Sequence, residues 1–309
     1  MREQTQSNTA PDHSRRQFMT GALAGASALI TTSHLASGAS NRAKGSRQAA
    51  DRITLGNTGI KCSILAQGTG FNGGGRTSAH SRLGVKEFTR LVRHSLDQGV
   101  NLMDAADLYG SHLYVQKALD GVSRDKYSLI SKIWPRQEYW NMPSGGATKE
   151  VNRFRKELKS EVIDICLIHC MTNAQWPEEH KRIRDELVEM KEKGAVRAVG
   201  ISCHNLGALK VAAKHPWVDI IFARINNAGE SMDGSPEEVA PVLKQARKNG
   251  KTIVGMKIFG AGKLVQPDQK DASLKYVFEN ELVDAITIGM MNVEQVNDTV
   301  MRLNKVLKG

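Results

Sequence analysis

The sequence predicts an α/β fold, a (β/α)8 barrel with an N-terminal β-hairpin. From residue 51 onward, short apolar runs alternate with amphipathic segments of helical period, the pattern of repeated strand–helix units. Successive apolar runs end about 30 residues apart, as expected when about 250 residues form eight units. The 309 residues leave close to that length once an N-terminal leader is subtracted. Residues 53–55 and 60–65 flank a glycine-containing turn at 57–59, so we expect a hairpin that closes the bottom of the barrel.

Eight apolar runs are the candidate strands, and amphipathic segments supply the helices. The runs are residues 64–67, 101–104, 127–132, 163–169, 195–202, 220–225, 252–257 and 285–288. The helices are residues 85–98, 149–159, 177–193, 206–214, 236–249, 272–280 and 292–307. Several helices are followed by a glycine, as at Gly99, Gly194 and Gly250, which is typical of a helix C-terminus because glycine tolerates left-handed backbone.

A doubly wound open sheet is the alternative fold. Residues 68–73 (GTGFNG) nearly match the glycine pattern of a dinucleotide-binding turn. In that fold a helix follows the glycines directly, whereas here a polar loop follows them. A single glycine-rich match of this kind is weak evidence, and the sequence favours the barrel.

Composition indicates a globular protein with a substantial core. The chain is 40% hydrophobic and 24% charged, with 5% aromatic residues and a net charge of +11. The lysines and arginines are spread over the helical segments and interleaved with acids, so we interpret them as solvated helix faces. We therefore expect no nucleic-acid partner.

The N-terminus carries the features of an export signal. Residues 14–19 (SRRQFM) resemble the twin-arginine motif, an apolar run covers residues 21–30, and small residues follow at 36–39. The run is too short and too rich in Gly and Ala for a stable membrane anchor. We expect a signal peptide at residues 1–39, a flexible linker at 40–50 and the barrel at 51–309. The expected partner is the twin-arginine machinery and the expected location is the periplasm; an accidental arginine pair in a disordered tail is the alternative.

Four residue types suited to carbonyl chemistry fall at or just beyond strand ends, where a barrel places its active site. Asp104, Lys132 and His169 end the second, third and fourth predicted strands, and Tyr109 follows the second. This set resembles the catalytic tetrad of the aldo-keto reductases. The supporting stretches are residues 99–110 (GVNLMDAADLYG), 131–134 (SKIW), 163–169 (IDICLIH), 200–202 (GIS) and 255–260 (GMKIFG), and the similarity extends over residues 52–307.

The chemistry explains why these residue types occur together. Reduction of a carbonyl by hydride creates an alkoxide, so a proton donor is needed at the oxygen. Tyr109 is the expected donor, and the base in the reverse direction. We expect Lys132 to lower the pKa of Tyr109, Asp104 to hold Lys132, and a neutral His169 to orient the substrate oxygen. Taken one at a time, each residue also has a structural interpretation, as a helix cap, a snorkelling lysine, a core histidine or a packed tyrosine.

The resemblance implies NADP or NAD as cofactor. The residues expected to contact it are Ser202, Met256, Lys257, Phe259, Gly289 and Gln295. Ser202 matches the serine of a Ser-Asn pair that holds the nicotinamide carboxamide in the family, and Asn205 could replace the asparagine. Met256 stands where many members place a stacking aromatic, and Lys257 could meet the pyrophosphate. Gln295 stands where an arginine commonly grips the 2′-phosphate, so NADP and NAD both stay open.

Arg224 and Asn226 are the polar groups on the sixth strand, where the family usually has a glutamine. The expected reaction is reduction of an aldehyde or ketone, which could be sugar-like, to an alcohol. The pocket-lining aromatics would be Trp134, Tyr139 and Trp140.

Two other functions stay open. One is a cofactor-binding regulatory or interaction protein of the same fold. The other is a metal-dependent barrel enzyme that uses His169, Cys170, Cys203 and His204, since these are nitrogen and sulfur ligands. We expect the four cysteines to be reduced and partly buried; they are Cys62, Cys166, Cys170 and Cys203.

Overall fold

The computed structural model describes residues 47–136 and 145–308. The predicted signal peptide lies outside the described residues, as do Tyr139 and Trp140. Residues 47–50, which were predicted to end a flexible linker, belong to the packed structure. Ala49 is buried, and its N–H donates to Oδ1 of Asn304 at 2.7 Å. No helix in the described ranges is long and apolar enough to cross a membrane.

Eight parallel strands close into a barrel, which confirms the predicted fold and excludes the open sheet. The barrel strands are β3 (Leu65–Gly68), β4 (Leu102–Asp104), β5 (Ser128–Ile133), β6 (Ile163–Met171), β7 (Val196–Cys203), β8 (Ile220–Arg224), β9 (Thr252–Met256) and β10 (Ala285–Ile288). They pair in chain order, and β10 closes the ring against β3 through Ile286 and Leu65. The predicted hairpin is also present, with β1 (Arg52–Thr54) antiparallel to β2 (Lys61–Ser63).

The helices surround the barrel. They are α1 (Gly84–Asp97), α2 (His112–Ala118), α3 (Ala147–Leu158), α4 (Trp176–Glu179), α5 (Lys181–Glu192), α6 (Leu206–Ala212), α7 (Pro236–Lys248), α8 (Pro267–Glu279) and α9 (Val293–Leu307). The helix predicted over 177–193 is interrupted at His180, whose backbone leaves the helical region. The helix predicted from residue 272 begins at Pro267, because Pro at the first turn and a capping box between Gln266 and Gln269 favour an earlier start.

Side chains alternate between two apolar layers along each strand. On β6, Ile165 and Leu167 face the barrel interior, whereas Cys166 and Ile168 pack under the helices. Leu55 and Ile60 of the hairpin region join the interior layer, so the hairpin closes the bottom of the barrel as predicted. The same alternation decides which residues at the other end of the strands point inward.

Candidate active site

The alternation of side chains carries three predicted residues to one place. On β4, β5 and β6 the interior residues Leu102, Ile130 and Leu167 are each followed two positions later by the polar residue that ends or nearly ends the strand. These residues are Asp104, Lys132 and His169, and all three are buried. Tyr109 joins them from a 3-10 helix, Asp107–Tyr109, just after β4. The structure therefore brings all four predicted residues together.

A buried ion pair forms the floor of the site. The Lys132 ammonium donates to Oδ1 of Asp104 and, at 3.1 Å, to the carbonyl oxygen of Ala105. The other carboxylate oxygen of Asp104 accepts from Oγ1 of Thr287 at 2.8 Å. Asp104 is thus held from β5 and from β10, the strand on the far side of β3. Thr287 was missed in the sequence because it lies 183 residues away from Asp104.

Tyr109 and His169 face each other above this pair. The Tyr109 hydroxyl lies 3.3 Å from Nε2 of His169, and the two rings meet edge to face with centroids 5.4 Å apart. The Lys132 ammonium lies 4.9 Å from the centre of the Tyr109 ring. Trp134 packs on another side of His169, with ring centroids 5.5 Å apart. A hydroxyl and an imidazole nitrogen at this separation can both contact one substrate oxygen.

The environment raises the pKa of Tyr109 well above its ordinary value. Burial is the largest cause, and the negative charge of Asp104 comes next. We expected Lys132 to bring this pKa below its ordinary value; the net shift is upward instead, because burial and the charge of Asp104, the carboxylate paired with the ammonium, act against it. Tyr109 is consequently protonated at neutral pH, which is the form that a proton donor needs.

His169 is a neutral imidazole, as expected. Burial first, and then the positive charge of Lys132, lower its pKa well below the ordinary value. A neutral ring can keep one nitrogen as a hydrogen-bond acceptor and the other as a donor. It can therefore orient a substrate oxygen without adding a second full charge to the site.

A cavity of about 650 Å³ opens above the tetrad at the carboxyl ends of the strands. All four catalytic candidates line it, and so do the six residues expected to contact the cofactor: Ser202, Met256, Lys257, Phe259, Gly289 and Gln295. Within the described ranges nothing pairs with the Lys257 ammonium, whose pKa is lowered by burial and then by the charge of Arg224. A partly buried, uncompensated cation in a cavity wall fits the pyrophosphate of a nicotinamide dinucleotide.

Three polar side chains near the residues expected to contact the cofactor make hydrogen bonds within the protein. Asn205 does not line the cavity, and its side-chain oxygen caps α6 by accepting from the N–H of Ala208 at 3.1 Å. Asn226 donates to the carbonyl oxygen of Lys257 at 3.0 Å and holds that loop. Gln295 turns back on the start of its own helix and accepts from the N–H of Met291 at 2.8 Å.

His204, the neighbour of Asn205 in the chain, does line the cavity wall. Its Nδ1 accepts from the guanidinium of Arg224, which also pairs with Asp233 at 3.3 Å. A guanidinium can only donate, so the ring proton of neutral His204 sits on Nε2, 3.3 Å from the sulfur of Cys170. Ser202 accepts from the N–H of Cys170 at 2.8 Å, which leaves its hydroxyl hydrogen available to a ligand.

The same contacts bear on the metal-site alternative. All four cysteines (Cys62, Cys166, Cys170 and Cys203) are buried free thiols. The arginine on Nδ1 of His204 occupies one possible ligand atom. In the part of the chain that the structure describes, no group of three or more His, Cys, Asp or Glu side chains could hold a metal ion. The metal alternative gains no support.

The fold and the site define a barrel oxidoreductase. Residues 68–277 match the Aldo/keto reductase family, and the chain belongs to that family. This membership confirms the predicted class of enzyme, an NAD(P)-dependent oxidoreductase acting on carbonyl or alcohol groups, with NADP or NAD as cofactor.

Known relatives cover most of the chain. The 6-dehydroglucose reductase of Novosphingobium aromaticivorans is 28% identical over 236 residues, which is 69% of this chain and 70% of the relative. The NADH-specific methylglyoxal reductase of Escherichia coli is 26% identical over 216 residues, or 64% of each chain. A solved structure of a putative aldo-keto reductase from Pseudomonas aeruginosa superposes with a TM-score of 0.69 at 24% identity, covering 84% of this chain and 97% of that one.

Proposed function

We propose that this protein reduces an aldehyde or ketone to an alcohol, with Tyr109 as the proton donor. The observation that carries the proposal is the 3.3 Å approach of the Tyr109 hydroxyl to Nε2 of His169 at the base of the cavity. Both groups are in the form the reaction needs, a protonated phenol and a neutral imidazole. When bound, reduced nicotinamide supplies the hydride.

The residues of the chain then divide the remaining work. His169 and Tyr109 bind and orient the carbonyl oxygen between them. As negative charge develops on that oxygen, Tyr109 transfers its proton, because an alkoxide is a much stronger base than a phenolate. The ammonium of Lys132, 4.9 Å from the ring centre, stabilises the phenolate that forms. Asp104 keeps Lys132 in place by pairing with its ammonium.

We propose a sugar-like substrate. Trp134 presents an aromatic wall beside His169, and Asn72, Arg136 and His204 place polar groups around the same cavity. An apolar face with hydrogen-bonding groups at its edge suits a polyhydroxylated ligand. The name of the 6-dehydroglucose reductase, which is 28% identical, agrees with this substrate class.

The test is a turnover assay with NADPH and with NADH over a panel of aldehydes, keto-sugars and methylglyoxal. Tyr109→Phe should lower kcat by about 10²- to 10⁴-fold, the usual contribution of a proton donor. Its affinity for the cofactor, measured by fluorescence titration, should be unchanged. Full activity in this variant would refute the assignment of Tyr109. Bound cofactor without turnover of any carbonyl by the wild type would favour the regulatory protein instead.

We also propose that residues 14–19 direct export by the twin-arginine pathway and that the mature enzyme acts in the periplasm. Support comes from the order of arginines, apolar run and small residues. Fractionation of cells producing the full chain should recover the protein in the periplasm. The double substitution Arg15→Lys and Arg16→Lys should retain it in the cytoplasm, and equal export of both forms would contradict the proposal.

A further inference from the structure

An arginine on α3 reaches the loop that carries Tyr109. Nη2 of Arg153 lies 2.8 Å from Oδ2 of Asp107, a buried carboxylate two residues before Tyr109. On the other side, Nε of Arg76 lies 3.1 Å from Oδ1 of the same carboxylate. Asp107 therefore ties the 3-10 helix that ends in Tyr109 to α3 and to the loop after β3.

The same guanidinium leads to the strand of Lys132. Nη1 of Arg153 lies 2.7 Å from Oε1 of Glu157, and Oε2 of Glu157 lies 2.7 Å from Nδ1 of His112. Nε2 of His112 is 2.8 Å from Oγ of Ser131. Ser131 precedes Lys132 on β5 and points away from the barrel interior, so this branch supports the lysine from the helix side.

The charges in this network are stable. Burial by itself would lower the pKa of Arg153, but the hydrogen bond and charge of Asp107, followed by the bonds to Glu157 and Glu150, raise it. Burial by itself would raise the pKa of Glu157, but His112 and Arg153 lower it to about 2. Both groups are therefore ionised at any pH at which the enzyme would work. Charged hydrogen bonds in a partly buried setting fix geometry strongly.

We propose that Arg153 is a positioning residue for the reaction, acting on Tyr109 through Asp107 and on Lys132 through Glu157, His112 and Ser131. The proposal rests on the proposed function of Tyr109 as proton donor. Arg153 does not line the cavity, so its loss should change the placement of the reacting groups and leave cofactor binding intact. Arginine suits this task because its planar fork donates in separate directions at once, which a lysine cannot reproduce.

The central test compares two arginines of the same helix. Arg153→Met keeps the apolar stem, and Arg155→Met is the matched control. The control removes a surface ion pair of 2.6 Å to Glu161, whose side chain is 94% exposed. Arg153→Met should lower kcat by about 10- to 100-fold, since small misplacements of reacting groups cost this much. The cofactor Kd should stay within about twofold of wild type, and the control should retain full kcat.

A pH profile separates positioning from general loss of structure. A loosened loop lets water reach the Tyr109 hydroxyl, which brings its raised pKa back toward the ordinary value. The alkaline limb of kcat should therefore move to lower pH in Arg153→Met and stay in place in Arg155→Met. Asp107→Asn should behave like Arg153→Met, and the double variant should lose little more than either single one, because both break the same connection.

Several outcomes would overturn the proposal. One is a folded Arg153→Met that keeps wild-type kcat. Another is an equal loss in Arg155→Met, which would indicate a general effect of α3. If Arg153→Met does not fold, Asp107→Asn decides, and unchanged kcat with an unmoved pH profile refutes the positioning role. Absence of turnover in the wild type would refute the proposed function, and with it this inference, whereas wild-type turnover with an unimpaired Arg153→Met refutes this inference alone.

Discussion

Replacing Lys132 by methionine keeps most of the side-chain volume but leaves the Asp104 carboxylate in the barrel without its ammonium partner. Lys132 is 1% exposed and Asp104 is 5% exposed, so water cannot replace the lost charge. Breaking a buried ion pair from one side costs about 3–5 kcal/mol. The hydrogen bond from Thr287 remains and is worth about 1 kcal/mol. It is present in both proteins, so the difference in unfolding free energy should stay near the range for the pair.

The assay is urea denaturation at neutral pH, supported by thermal unfolding. A loss of about 3–5 kcal/mol corresponds to a fall in Tm of about 6–20 °C for a domain of this size. Adding Asp104→Asn to Lys132→Met removes the orphaned charge, so the double variant should recover most of the loss.

Two results would refute this reasoning. A loss below about 1 kcal/mol in Lys132→Met would show that the pair has no more effect than an exposed one. A double variant no more stable than the single one would show that the cost arises from packing rather than from charge.

Three further predictions follow from the site. Gly70→Ala should lower kcat about 10- to 100-fold, because the added Cβ would lie 2.4 Å from the Tyr109 ring. Gly145→Ala is the control and should leave kcat unchanged, because its Cβ meets only the flexible side chain of Lys149. The kcat for reduction should be flat from pH 6.5 to pH 10, because the pKa of His169 lies below this interval and that of Tyr109 above it. An acid limb inside the interval would contradict the direction given for His169, and an alkaline limb would contradict that given for Tyr109. Burial lowers the pKa of His80 from 6.5 to about 4, so the unfolded chain binds a proton at this residue before the folded protein does. The unfolding free energy of the wild type should therefore fall by about 3 kcal/mol as the pH decreases between these values. Chemical denaturation should find a smaller pH dependence in His80→Gln.

Much of the fold could be predicted because its signals are local. Gly99, Gly194 and Gly250 were predicted to end helices, and all three have the positive φ that such ends require, 78°, 71° and 78°. The short α2 (His112–Ala118) was missed because seven residues hold too few periods for an apolar pattern to be recognised. The interruption at His180 was missed because residues 178–182 (EEHKR) contain neither glycine nor proline, the usual local signals of a helix break.

The tetrad could be predicted, but several of its supports could not. Asp104, Lys132 and His169 each occupy the same kind of position, an inward residue at or near a strand end. Thr287 and His204 matter through contacts with residues distant in sequence, which no local pattern reveals. The cap formed by Asn205 was available in principle, since asparagine directly before a helix favours the N-cap.

The glycine-rich segment after β3 nearly matches the glycine spacing of a dinucleotide-binding turn, but its glycines have a different role in this barrel. In a dinucleotide-binding turn, the glycines let a phosphate approach the backbone. Here Gly70 and Gly73 lie against the Tyr109 ring, where added Cβ atoms would come within 2.4 Å and 2.7 Å of its carbons. The glycines therefore make room for the ring of Tyr109. The backbone of these glycines packs against the Tyr109 ring, the Lys132 ammonium lies 4.9 Å from the ring centre, and the Asp107–Arg153 ion pair holds the segment just before it. Three separate parts of the chain therefore contribute to the placement of this phenol.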